Sequence, residues 1–150
     1  MIVHNEREAL FVAVEMERRA IRIYERALML AADEAVRRGI GDILSQEREH
    51  LKRFSAMRES YASDGQEEQA LLQAMGAEAL FPGGVMEMER AQGLTTLESL
   101  YAFAADSEEH AMETYLSFAE KCRDEKVAGA FRAIAAEESA HLIQLRTGGR

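Results

Sequence analysis

Sliding the 150-residue sequence against itself by 91 positions, without gaps, brings eleven identical residues into register. The pairs are Ala13/Ala104, Glu17/Glu108, Ala20/Ala111, Tyr24/Tyr115, Asp33/Asp124, Glu34/Glu125, Val36/Val127, Ile43/Ile134, Glu47/Glu138, His50/His141 and Leu51/Leu142. The offset is far longer than a solenoid unit, so the sequence reads as two copies of one supersecondary unit separated by a connector. Proline occurs only at Pro82, so almost nothing interrupts a helical pattern. In the first copy Leu10, Val14, Ile21, Tyr24 and Leu28 recur at three- and four-residue steps and at the seven-residue step between Val14 and Ile21. Each copy is therefore expected to be a helical hairpin. Two such hairpins pack naturally as a four-helix bundle with a pseudo-two-fold axis.

Capping residues set the expected boundaries. Asn5 with Glu8 forms a capping-box pattern and opens a helix over 6–32. Asp33 caps a second over 34–62, whose apolar face carries Val36, Ile40, Ile43, Leu44, Leu51 and Phe54. Thr95 with Glu98 opens a third over 96–122, and Asp124 caps a fourth over 125–146. The stretch 63–95 holds Asp64-Gly65, Pro82-Gly83-Gly84 and Gly93, with short helical patterns near 67–75 and 85–91. It reads as a long crossover connection within one domain spanning 1–150.

The repeated residues are not mainly core. A repeat kept only for packing would keep apolar positions and let polar ones drift, yet three Glu pairs, a His pair and a Tyr pair persist. Glu47-Arg-Glu-His50 and Glu138-Ser-Ala-His141 each put Glu and His at i and i+3, on one helix face. Glu17 and Glu108 add one carboxylate from each remaining helix. Glu17 lies 15 residues before Ala32, and Glu47 lies 14 after Asp33. At 1.5 Å per residue both legs run about 21–22 Å, which brings Glu17 level with Glu47 and Glu108 level with Glu138. Four glutamates and two histidines converge at one height.

Carboxylates gathered there would repel one another, and their pKa values would rise. Two divalent cations balance four carboxylate charges. Mixed oxygen and imidazole ligands suit iron or manganese, zinc being a possible substitute of lower coordination; calcium would not use histidine. The same ligand set is the general template of di-metal carboxylate bundles. Glu137, four residues before His141, is a further candidate ligand, but its repeat mate is Gln46. Gln46 and Glu137 could instead each accept the N–H of the opposing histidine, Gln46 from His141 and Glu137 from His50, or simply be solvated. Tyr24 and Tyr115, two turns beyond their glutamates, are open to core packing, to a hydrogen bond onto a ligand carboxylate, or to a redox role. His4 and His110 read as surface residues, and Cys122 as a small buried hydrophobe.

Composition narrows the function classes. With 27 acidic and 18 basic residues the net charge is −9, which disfavours nucleic acid and anionic membranes. No apolar run exceeds six residues, as in Ala9–Val14, far short of a membrane span. A cytoplasmic location is the expectation. A single cysteine excludes a disulfide framework, a four-cysteine zinc site and a rubredoxin-type iron centre within this chain.

The motifs Glu17-x-x-Ala20-x-x-x-Tyr24, Gln46-Glu47-Arg-Glu-His50-Leu-Lys-Arg53, Glu108-x-x-Ala111-x-x-x-Tyr115 and Glu137-Glu138-x-x-His141 resemble those of the rubrerythrin branch of the ferritin-like superfamily. The resemblance covers the four helices and leaves the connector unassigned. It implies a non-haem di-iron centre that reduces peroxide, or oxidises ferrous iron with dioxygen or peroxide. Glu47 and Glu138 would be bridging ligands, Glu17 and Glu108 terminal ones, with His50 and His141 one per metal. Two departures stand out. Typical members carry another glutamate ligand three residues past the third-helix glutamate, where this chain has Ala111. They also append a rubredoxin domain, whereas no CxxC occurs here, so electrons would come from a separate donor. A homodimer is a further expectation. The other readings are a non-catalytic iron-binding or iron-handling protein, and a metal-free structural bundle.

Overall fold

The computed structural model describes residues 3–62, 64–77 and 96–147. Five helices occupy them and no strand occurs among them: α1 (Glu6–Leu30), α2 (Glu34–Arg58), α3 (Gly65–Ala77), α4 (Leu97–Lys121) and α5 (Glu125–Arg146). Side chains start the long helices. Asn5 Oδ1 accepts from Glu8 N at 3.0 Å, Asp33 Oδ1 from Val36 N at 3.0 Å, Thr96 Oγ1 from Ser99 N at 3.1 Å and Asp124 Oδ1 from Lys126 N at 2.9 Å. The third long helix is thus capped by Thr96, not Thr95. Glu8 reaches back to His4 N at 2.7 Å rather than to the cap residue itself.

The ends of α1 and α2 fall short of the sequence expectation by a few residues. Ala31 is already extended, with φ −76° and ψ 126°, because the Asp33 cap requires the chain to leave the helix first. The expected pattern at 67–75 lies inside α3; the one at 85–91 falls outside the described residues.

Helix α1 packs along α2, and α4 along α5; α1 also meets α4, α2 meets α5, and α3 rests on α1. The four long helices thus neighbour one another in a ring. Glu6, opening α1, accepts from the backbone N–H groups of Arg123 and Asp124 in the turn between α4 and α5, the latter at 2.8 Å. At the other end Gln144 Nε2 donates to Gly39 O at 3.2 Å, joining the end of α5 to the start of α2. The turn of one helix pair therefore lies against the open end of the other.

The buried core runs the length of the ring. Phe54, Tyr115, Phe118 and Phe131 cluster with ring centroids 5.1–6.5 Å apart. Ile40, Ile43 and Tyr24 belong to the same buried core. No helix among the described residues is long and apolar enough to cross a membrane.

Candidate metal centre

Midway along the ring, apolar packing gives way to charge. Glu17 on α1, Glu47 and His50 on α2, Glu108 on α4, and Glu138 and His141 on α5 are each no more than 2% exposed. The i, i+3 spacing turns each Glu and His pair inward, and their neighbours on the same faces (Ile43, Phe54, Ile134, Leu142) anchor those faces in the core. The structure brings all six residues together.

Their geometry is close to symmetric. His50 Nδ1 stands 2.8 Å from Glu138 Oε1, 3.6 Å from Glu17 Oε1 and 3.7 Å from Glu47 Oε2. His141 Nδ1 stands 2.8 Å from Glu47 Oε1, 3.6 Å from Glu108 Oε1 and 3.7 Å from Glu138 Oε2. The imidazole rings stack, 6.0 Å apart and 24° from parallel. Two sets of donor atoms result, each within 4.8 Å of one another: Glu17, Glu47, His50 and Glu138, and Glu47, Glu108, Glu138 and His141. Glu47 and Glu138 belong to both.

Hydrogen bonds fix the cage from outside. His50 Nε2 lies 3.0 Å from Glu137 Oε2, and His141 Nε2 lies 2.7 Å from Gln46 Oε1. Both partners are acceptors there, so each ring keeps a proton on Nε2 and turns Nδ1 inward toward the carboxylates. Tyr115 donates to Glu17 Oε1 at 2.9 Å, and Tyr24 donates to Glu108 Oε1. Each tyrosine thus crosses to the carboxylate of the other helix pair. Burial, followed by the charge of nearby glutamates, raises both phenols well above their ordinary pKa and keeps them protonated as donors.

Without a cation the cage is poorly satisfied. Glu17 Oε2, both oxygens of Glu47, Glu108 Oε2, Glu138 Oε1 and both Nδ1 atoms are buried without an aligned hydrogen bond. Burial, then the charges of Glu138 and Glu108, pushes the Glu47 carboxyl up to about 7. Burial, then Glu108 and Glu17, pushes Glu138 up to about 8. Glu17 is raised well above the usual range by burial and by Glu47. For Glu108, burial is outweighed by the surrounding Glu138, His141 and Tyr24 contacts, and its pKa is lowered. Burial opposes charge on the histidines, yet the carboxylates around them hold both pKa values well above the ordinary one. Buried orphan atoms of this kind are rare and call for an explanation. A divalent cation in each set would satisfy them, and oxygen with imidazole donors is the right chemistry for one.

A small cavity of about 10 Å³, with room for roughly one water, lies beside the cage between α1 and α4. Ala20 and Ala111 both line it. Ser107 lines it too, 6% exposed and with its hydroxyl unpartnered. The repeat hides this residue, because its mate is Met16, and a lone serine on a helix carries no periodic signal. One side-chain assignment changes. His110 is half-buried rather than on the surface, with its Nε2 enclosed, and burial lowers its pKa. Cys122, at the C-cap of α4, is half-buried and packs against the core as a small hydrophobe, and burial pushes its thiol up to about 11, away from reactivity.

Comparison of the chain with protein-family models, with curated proteins and with solved structures returns no match. What the cage can do is therefore read from its own atoms: it is a buried Glu/His cluster that could hold metal ions.

Proposed function

We propose that this chain is a single-domain, ferritin-like four-helix bundle of the rubrerythrin type, holding two iron ions and reacting with dioxygen or peroxide. The observation that carries the reading is the pair of buried ligand sets sharing Glu47 and Glu138, with seven buried donor atoms that make no aligned hydrogen bond. Four carboxylates against two divalent cations balance in charge, whereas an empty cage leaves like charges facing one another in the interior. Bound iron would supply reversible one-electron redox chemistry and open coordination positions.

The protein's own groups divide the remaining work. His50 and His141 present Nδ1 because Glu137 and Gln46 hold the Nε2 protons. Tyr115 and Tyr24 brace the two terminal carboxylates and keep them from swinging into the cavity. Ala20 and Ala111 leave the face between α1 and α4 free, so a small oxidant or an incoming ferrous ion would approach from that side. The Ser107 hydroxyl is the uncharged donor available to a small polar ligand there. Electrons would come from a separate donor, since one cysteine cannot build a four-cysteine iron centre. The proposal includes a cytoplasmic setting and a homodimer, with no nucleic-acid or membrane partner, in keeping with the net charge of −9.

Anaerobic reconstitution with ferrous iron, elemental analysis and an oxygen-consumption assay test the reading. The expected result is two irons per chain and oxygen uptake on adding ferrous iron. One zinc and no iron would sink it. Two irons without oxygen or peroxide turnover would leave the alternative, a protein that holds iron without catalysis.

A further inference from the structure

The two halves of the cage match at the Nδ1 side and differ behind it. Each Nδ1 has neighbours at the same three distances, 2.8, 3.6 and 3.7 Å, and each set contains three carboxylates and one imidazole. Behind His50 stands a carboxylate, Glu137; behind His141 stands a neutral amide, Gln46. Gln46 and Glu137 occupy equivalent places in the repeat, so the symmetry breaks at this pair while the ligands keep it.

We propose that Glu137 makes the Glu17–Glu47–His50–Glu138 position the tighter of the two, so that it fills with metal before the Glu47–Glu108–Glu138–His141 position. The inference rests on the two-metal reading above and adds an order to it. A carboxylate accepting the N–H of an imidazole pulls that proton and makes the opposite nitrogen a stronger donor than an amide does. It also places a negative charge one ring away from the cation. Arg53 Nη1 approaches Glu137 Oε2 at 3.7 Å, but both side chains are well exposed, at 38% and 45%, so water screens the pair. Arg53 therefore orients Glu137 more than it neutralises it. Its repeat mate Gln144 is uncharged and turns instead to Gly39 O.

Cobalt(II), added to the metal-free full-length protein and followed by visible absorption and calorimetry, tests the order. The expected titration has two steps, with the first tighter by about 10-fold or more, the range over which such outer partners tune metal affinity. Repulsion between two cations would also separate the steps in a symmetric cage, so two variants decide. Glu137→Gln should weaken the first step by about 10-fold and draw the steps together. Gln46→Glu should strengthen the second step and again narrow the gap. A third readout is independent of affinity. At one equivalent of cobalt, the paramagnetically shifted imidazole N–H signal should move in Glu137→Gln and not in Gln46→Glu, which marks it as His50. A gap that survives both variants, or a first signal belonging to His141, overturns the order while leaving two metals in place. Failure to take up a second metal at all refutes the two-metal reading itself, and the order with it.

Discussion

Glu47 has no exposed surface, and neither of its carboxylate oxygens finds an aligned donor. A buried group in that condition costs about 1–3 kcal/mol, more when charged. Glu47→Gln removes the charge without opening a hole. We expect metal content to fall below two per chain and the metal-free protein to melt several degrees higher, the size of shift that ~1–2 kcal/mol gives in a chain of this length. Elemental analysis and thermal melting check both halves, and a metal-free variant melting below its parent would show that the carboxylate is satisfied without metal. The ligands were legible in the sequence because the repeat preserves charged residues at helix-interior positions, where drift is otherwise free. The pairing of Gln46 with His141 and of Glu137 with His50 was legible for the same reason, as one-residue offsets from repeated ligands. Ser107 was not, since its partner position holds Met16. The half-burial of His110 was not either, because sequence spacing places a residue on a helix face but does not say what packs over it.

Helix α4 shows what a single face can decide. Ala111 lies one turn past Glu108 and lines the cavity. A glutamate there would point to the same face and reach toward the Glu108 side of the cage. We expect the parent to oxidise ferrous iron and to turn over peroxide only slowly with a generic donor. Ala111→Glu should shift the ratio of the two rates toward peroxide while metal content stays at two. Unchanged rates and an unchanged ferric absorption spectrum would exclude residue 111 from the site. Helix starts are legible in the sequence because each depends on one capping side chain with a fixed reach. Asp124→Ala should accordingly cost about 1 kcal/mol of stability, measured by denaturant unfolding, with no loss of metal. Helix ends are less legible. Ala31 and Ala32 are good helix formers, and Ser60-Tyr61-Ala62 holds neither glycine nor proline. Nothing local marks those stops, and the geometry of the following turn imposes them.

At the scale of the whole molecule, the metal-free cage makes stability depend on pH. Glu17, Glu47 and Glu138 have folded pKa values raised above 4.5, to about 7 for Glu47 and about 8 for Glu138. The folded state thus holds more protons than the unfolded chain between these values, and stability falls as pH rises through the window. The raised histidines act in the same direction above 6.5, while the lowered pKa of Glu108 matters only below 4.5. Metal bound in the cage would release these protons. We expect the metal-free melting temperature to drop from pH 5.5 to 8, and the gap to the metal-loaded protein to widen. Equal melting with and without metal at both pH values would place the carboxylates outside a shared cage. Each donor set draws on both helix pairs, and Glu138 follows Glu47 by 91 residues. During synthesis at about 5–20 residues per second, roughly 5–20 seconds separate the two shared carboxylates. Throughout that interval a nascent α1–α2 pair offers Glu17, Glu47 and His50 without Glu138, so under the two-metal reading a chain at that stage would have only an incomplete half-site, and loading would belong to the period after α5 has emerged.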